Sequence, residues 1–167
     1  LALERAPELA AAFEHVALVD PPSSGGEESR ATPPYGGGST GFLHLLWTDA
    51  ERDFASKALA EQWPSRNAVA AEFRALQKLD GEPHPGREQL RMALAGSGRH
   101  PLCPEVCARR FRVLAELGLV QGSPVAGAGA VGVVSSERTE LQRSAAFRAY
   151  GERLSEGQRY LVRPKPR

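Results

Sequence analysis

The sequence predicts an α+β fold in which a small α/β layer packs on a group of short helices. Three observations support this class. Residues 16–19 and 42–47 are short apolar runs of strand length, and a helical pattern follows the second. Three segments between residues 66 and 117 place apolar side chains at helical spacing. A further apolar run begins at Leu119, directly after a glycine, which indicates a strand behind the third helix.

Length and composition are those of an ordinary globular chain. The 167 residues suffice for one domain or two small ones, and the apolar and charged shares of 41% and 25% fit a soluble protein. No apolar run approaches the roughly 20 residues of a membrane span, so we expect no membrane partner. Two cysteines are too few for a disulfide framework and favour the cytoplasm. Because the chain starts at Leu1 without methionine, we expect a piece of a longer protein.

Charge is distributed unevenly along the chain. Residues 1–64 hold 4 basic and 10 acidic side chains, residues 65–120 hold 9 and 6, and residues 121–167 hold 8 and 4. An acidic first third and a basic remainder indicate two surfaces with different partners. The basic excess in the middle third is modest for a dedicated nucleic-acid binder.

The sequence of residues 1–64 predicts the α/β layer. We expect a helix over residues 4–13, and then two strands whose continuous apolar character is typical of a parallel sheet covered on both faces. Between the strands, residues 23–41 are rich in Ser, Gly and Pro and predict a mobile loop. Strand, loop, strand and helix is the order of a Rossmann- or RecA-like fragment.

The helix that closes this layer is expected over residues 50–62. Thr48 or Asp49 is its candidate N-cap, and the inward-facing side chains are Phe54, Ala58 and Leu59. Open α/β sheets bind ligands at the strand ends, where Asp20 lies. The commoner role of an aspartate ahead of two prolines is to shape the turn.

Residues 65–136 predict a winged helix-turn-helix. Three helices are expected over residues 66–79, 86–95 and 104–117, with Ser65 as the first N-cap. Gly118 allows the third helix to end in a left-handed conformation, and a β-hairpin follows. Residues 137–167 add a C-terminal helix that begins at Ser144, and then a basic tail.

Two short motifs suggest cofactors but lack the context that these need. Residues 127–132 match the Gly-x-Gly-x-x-Gly dinucleotide pattern, yet strand and turn residues follow instead of a helix. His100, Cys103 and Cys107 have a spacing suited to zinc, but a fourth ligand is not obvious. We therefore expect no cofactor and no catalytic residue in this chain. Buried cysteine is more often a small apolar residue than a metal ligand.

Arginines on the predicted third helix raise the question of nucleic-acid binding, because this helix enters the major groove in many winged helices. At about 100° per residue, Arg109 and Arg112 share the polar side with Glu105 and Glu116. The two acids would face the same DNA phosphates as the arginines, which is a poor arrangement for groove binding. A DNA-binding winged helix of a regulator or helicase is therefore the alternative hypothesis.

Arg110 falls instead near the middle of the apolar side of this helix. A buried arginine needs a partner, so it either extends its guanidinium to water or pairs with an acid such as Glu72. The third possibility is an anion-accepting pocket with apolar walls, suited to an acidic peptide that ends in an aromatic residue. The candidate partner-binding residues are Arg74, Lys78, Arg91, Arg109, Arg110 and Arg112.

Several segments together resemble the C-terminal region of bacterial RecJ, a family of single-stranded-DNA exonucleases. They are the apolar strand with its turn at residues 15–22, the strand 42–47, the helix around residues 73–76, the segment 114–120 and the late stretch 141–148. The Asp-His-His motifs that hold manganese or magnesium in the family's catalytic core are absent from this sequence. The resemblance therefore implies a non-catalytic accessory domain of a 5′→3′ exonuclease in DNA repair and recombination. It implies the acidic tail of single-stranded-DNA-binding protein as the candidate partner, with single-stranded DNA or a helicase as further possibilities.

Overall fold

The computed structural model describes residues 6–33, 41–80, 86–122 and 131–163. In these residues the chain is α+β, with helices and two small two-stranded sheets. The chain divides into two compact units, hereafter unit 1 (residues 1–60 and 153–167) and unit 2 (residues 61–152).

Unit 1 contains a two-stranded parallel sheet. After a 3₁₀ helix, Pro7–Ala12, strand β1 (His15–Leu18) pairs in parallel with strand β2 (Phe42–Leu45), and His15 lies opposite Phe42. The expected burial on both faces is wrong, because half-buried and exposed positions alternate along both strands. Phe42 keeps 56% of its surface exposed. A continuous apolar run does not reveal whether a second layer covers both faces of the sheet.

Part of the predicted mobile loop is a helix. Helix α1 (Gly25–Ala31) begins at Ser24, whose hydroxyl accepts a hydrogen bond from the Glu27 amide at 3.2 Å. The Glu27 carboxylate in turn accepts hydrogen bonds from the amide and hydroxyl of Ser23, at 2.6 and 2.7 Å. The prediction of a structureless segment is therefore wrong here. The overall composition of this segment predicts a loop, but the short pattern Ser-x-x-Glu within it is a capping signal that satisfies the first amides of a helix.

Helix α2 (Asp49–Gln62) begins as predicted and differs in the face that it buries. Thr48 is the N-cap, since its amide donates to Glu51 at 2.7 Å and its hydroxyl accepts from the Ala50 amide at 3.3 Å. Leu59 is buried, but Phe54 is 72% exposed, so the expectation that Phe54 faces inward is wrong. Five residues separate the two, which puts them about 140° apart around a helix and prevents them from sharing one face.

The C-terminal half of helix α6 (Ala145–Leu161) belongs to unit 1 and packs closely there. Gly157 is buried, and a Cβ at this position would lie 2.6 Å from Leu59 Cδ2 and 3.0 Å from the Ser23 carbonyl oxygen. The Tyr160 hydroxyl donates a hydrogen bond to the Glu28 carboxylate. Burial, together with this carboxylate, raises the pKa of Tyr160 above its ordinary value.

Unit 2 contains three consecutive helices and an antiparallel β-ladder. The helices are α3 (Arg66–Asp80), α4 (Arg87–Ala95) and α5 (Pro104–Glu116). Strands β3 (Val120–Gly122) and β4 (Val131–Val133) follow, with Val120 opposite Val133.

The helices of unit 2 begin and end at the capping residues that the sequence predicts. Ser65 accepts a hydrogen bond from the Ala68 amide at 3.2 Å, and Pro104 opens α5. Gly118 has a φ of 69°, the left-handed conformation that ends α5, and Leu119 donates back to the Leu114 carbonyl at 3.0 Å. The buried members of the core are Val69, Leu76, Leu90, Phe111, Val113, Leu114, Leu119, Val120 and Ala146.

Several predictions fall outside the described residues. They are the first residues of the helix at 4–13, the end of the mobile loop at 34–40, the proline break at 81–85, the glycines before position 131 and the basic tail from 164. A short 3₁₀ helix, Leu141–Arg143, precedes α6. Ser144 then caps α6 as predicted, because its hydroxyl accepts from the Phe147 amide at 3.0 Å.

Candidate functional site

Two of the candidate arginines on α5 are held by groups of unit 2 itself. The Arg109 guanidinium lies 4.4 Å from the centroid of the Trp63 ring and donates to the Gln62 carbonyl at 2.9 Å. Trp63 packs in turn on Tyr150, with the ring centroids 5.6 Å apart. Arg112 donates to Glu116 at 3.0 Å, and this hydrogen bond, with the neighbouring Tyr150, raises the pKa of Arg112. The two arginines that a groove-binding helix would use therefore already have aromatic and acidic partners on the outer side of α5.

Glu116 ties the end of α5 to the beginning of α6. Its carboxylate accepts from the Ser144 hydroxyl at 2.8 Å and the Ala146 amide at 2.9 Å, in addition to Arg112. The hydrogen bond from the Ala146 amide, with those from Ser144 and Arg112, lowers the pKa of Glu116. Glu116 thus neutralises a helix N-terminus instead of opposing phosphates, a role that sequence spacing does not reveal.

Arg110 lies near the buried carboxylate of Glu72. Glu72 on α3 is 4% exposed, and neither of its carboxylate oxygens has a hydrogen-bond partner among the described residues. Burial raises the pKa of Glu72 to about 8, while the charge of Arg110 acts in the opposite direction. The Nε of Arg110 is likewise buried and without a partner among these residues. The arrangement corresponds to the predicted Arg110–Glu72 pairing in position, but the two groups do not hydrogen-bond.

Cys107 lies near these two side chains. Its thiol is buried and donates weakly to the Leu94 carbonyl at 3.4 Å, and burial followed by the Glu72 charge raises its pKa. A thiol held in the protonated form is a poor nucleophile and a poor metal ligand. Cys103, one turn earlier, is exposed. Within the described ranges, no three His, Cys, Asp or Glu side chains are gathered to hold a metal, so His100, Cys103 and Cys107 do not form a zinc site there.

Arg91 on α4 forms a surface ion pair. It donates from Nη2 and Nε to the Glu88 carboxylate at 2.5 and 2.8 Å, and both side chains are exposed. Exposed ion pairs of this kind add little to stability, because water screens the two charges. Arg91 is therefore a weakly held cation on the surface of unit 2.

The remaining two candidates, Arg74 and Lys78, line an open cavity of about 520 Å³ on the outer face of α3. Ala71 and Ala75 supply apolar walls, and Gln77 completes the lining from α3. Arg74 donates from Nε to the Ala70 carbonyl at 3.1 Å, which holds its stem along the helix. Gln77 donates to the Ser136 hydroxyl at 3.2 Å. This cavity combines two cations with small apolar side chains, which suits an anionic group attached to an apolar one.

Comparison with known proteins adds no relative. No protein-family model, no curated protein and no solved structure matches the chain. The resemblance to the RecJ family therefore stays a prediction from the residues quoted for it. In the described part of the chain, no helix is both long and apolar enough to cross a membrane.

Proposed function

We propose that this chain is a non-catalytic, cytoplasmic interaction module whose unit 2 is a winged helix-turn-helix and whose unit 1 is an α/β fragment of Rossmann- or RecA-like type. In the context that the resemblance implies, it is the accessory domain of a single-stranded-DNA exonuclease. Its proposed partner is an acidic peptide, with the tail of single-stranded-DNA-binding protein as the candidate. The observation that carries this proposal is the cavity between Arg74 and Lys78 on α3.

The chemistry of that cavity favours a peptide with a carboxylate and an apolar side chain. A guanidinium or an ammonium donates charge-assisted hydrogen bonds to a carboxylate, which orient the bound group. Ala71 and Ala75 leave room above the helix for an apolar or aromatic group between the two cations. Among the six candidate basic residues, these two alone line this cavity together.

The order of elements supports a winged helix-turn-helix. Three helices with a shared core are followed by a short antiparallel ladder, and Val120 of that ladder belongs to the core. In DNA-binding members of this class the third helix presents its outer side to the major groove. Here Trp63 contacts Arg109 and Glu116 pairs with Arg112 on that side of α5. We therefore place the partner on α3 and regard groove binding by α5 as the weaker hypothesis.

The first prediction concerns charge reversal at the cavity. A fluorescently labelled acidic peptide ending in phenylalanine is expected to bind the whole chain. The double variant Arg74→Glu/Lys78→Glu is expected to weaken binding by at least about tenfold, because about 1.4 kcal/mol corresponds to a factor of ten. Fluorescence anisotropy measures both affinities.

Arg66→Glu is a control for charge reversal elsewhere on the same helix, since Arg66 is an exposed arginine roughly 12 Å along the axis from Arg74. This control is expected to keep the wild-type affinity. Equal affinity in the double variant, or no binding by the wild type, contradicts the proposed surface. A single-stranded or duplex oligonucleotide measured at two salt concentrations tests the alternative, because phosphate contacts make binding fall steeply with salt.

A further inference from the structure

Unit 1 presents two exposed histidines in direct contact on neighbouring strands. His15 Nδ1 lies 2.9 Å from His44 Nε2, and the two rings are nearly parallel, with centroids 5.2 Å apart. In the parallel register Ala17 lies opposite His44, so the two histidines are diagonal neighbours across the ladder. His15 also stacks on Phe42, with the centroids 4.9 Å apart. The contact is thus fixed by the pairing of β1 and β2.

The short nitrogen–nitrogen distance requires that one ring donates its N–H and the other accepts with a lone pair. One of the two facing nitrogens is therefore free to bind a metal without losing a proton. The donor ring can move its proton to its other nitrogen by changing tautomer, because the ring is exposed to water. After that change both facing nitrogens present lone pairs, and no net proton has left the pair.

We propose that His15 and His44 form a chelating site for a divalent transition-metal ion. Bonds of about 2.05 Å to imidazole nitrogen, at a right angle to each other, place the two nitrogens about 2.9 Å apart. This equals the separation already present between His15 and His44. Rotation of the exposed rings about their terminal torsions turns both lone pairs toward one ion, and such torsions are broad.

The donor set determines which ions bind. Imidazole nitrogen suits copper, nickel and zinc, whereas magnesium and calcium prefer oxygen ligands. Affinity is expected to be highest for Cu²⁺, which leads the divalent series at nitrogen sites. The described residues gather no group of three or more potential ligands. We expect water to fill the coordination positions that the described residues leave vacant, where a ligand from outside the chain can replace it.

Calorimetric titration of the whole chain with CuCl₂, NiCl₂, ZnCl₂ and MgCl₂ tests this site. Cu²⁺ is expected to bind at one equivalent, Ni²⁺ and Zn²⁺ more weakly, and Mg²⁺ not at all. His15→Ala and His44→Ala are each expected to weaken Cu²⁺ binding at least about tenfold, because a single imidazole cannot chelate. The double variant His84→Ala/His100→Ala removes the other two of the chain's four histidines and is expected to bind as the wild type does.

Electron paramagnetic resonance of the Cu²⁺ complex gives a readout that is independent of affinity. The wild type is expected to show hyperfine coupling to two imidazole nitrogens, and each single variant coupling to one at most. Circular dichroism verifies folding, and His15→Asn and His44→Asn replace the alanine variants if those unfold. Absence of Cu²⁺ binding, unchanged affinity in the His15 and His44 variants, or a loss confined to the His84/His100 variant overturns the proposal.

Discussion

At the scale of single residues, Glu72 is a buried acid that makes the stability of the folded chain depend on pH. It is almost fully buried on α3, its oxygens lack hydrogen bonds among the described residues, and its pKa is raised to about 8 from an ordinary 4.5. Burial favours the neutral carboxylic acid, and the nearby Arg110 offsets this only in part. At neutral pH the folded chain therefore holds a proton that the unfolded chain has lost.

The free energy of unfolding is expected to depend on pH through this group. It is highest near pH 4.5 and below, and it falls as the pH rises toward 8, because the pKa is higher in the folded state than in the unfolded state. The loss from pH 5 to pH 8 is on the order of 3 kcal/mol. Urea denaturation across this range measures it.

Glu72→Gln is the matching variant, since it keeps the shape and removes the titration. Its stability curve is expected to be flatter than that of the wild type and to lie above it at pH 8. Parallel curves for the two proteins would show that Glu72 does not carry the dependence. Glu88→Gln serves as control, because Glu88 is exposed and its pKa is lowered, so it does not contribute in this direction.

The roles of the basic residues illustrate what sequence alone can and cannot predict at this scale. The helical pattern correctly placed Arg110 toward the interior and left Arg112 exposed. It could not reveal that Trp63 packs on Arg109 and on Tyr150, because these contacts join residues that are distant in the chain. The cavity at Arg74 and Lys78 is lined by residues of α3 alone, and helical spacing does place these two cations on one side of that helix.

At the scale of elements, α6 contains two glycines in different surroundings. A Cβ at Gly151 would meet nothing within 4 Å, whereas a Cβ at Gly157 would lie 2.6 Å from Leu59 Cδ2. Both lie inside the helix, where alanine is intrinsically better than glycine by about 1 kcal/mol. The two positions therefore separate helix propensity from packing.

Gly151→Ala is expected to raise the free energy of unfolding by about 1 kcal/mol. Gly157→Ala is expected to lower it by about 1–2 kcal/mol, because Leu59 is buried and the Ser23 carbonyl oxygen limits the other side. Chemical denaturation followed by circular dichroism compares both variants with the wild type. Stabilisation by Gly157→Ala equal to that by Gly151→Ala contradicts the close contact.

Element boundaries were predictable where local signals exist. Ser65, Thr48 and Ser144 cap their helices, and Gly118 ends α5, as capping chemistry requires. The loop prediction was wrong at α1, because the Ser, Gly and Glu content of this segment does not indicate the cap at Ser24. The prediction that both faces of β1 and β2 are buried was also wrong, since coverage by a second layer is not a local property of the sequence.

At the scale of the whole molecule, the predicted α+β class is confirmed, and its finer assignments remain proposals. The acidic first third contributes most of unit 1, and the three helices with a modest basic excess lie in unit 2. This separation of charge fits an interaction module that offers chemically different surfaces. The histidine pair lies on unit 1 and the basic cavity on unit 2, so the two proposals are tested independently.

The binding surface on α3 is the central claim, and nuclear magnetic resonance tests it most directly. Titration of the ¹⁵N-labelled chain with the acidic peptide ending in phenylalanine maps the amides that the peptide perturbs. We expect shifts centred on residues 71–78 of α3, with the outer side of α5 unaffected. Shifts centred on Arg109 and Arg112, or no shifts at peptide excess, would contradict the account.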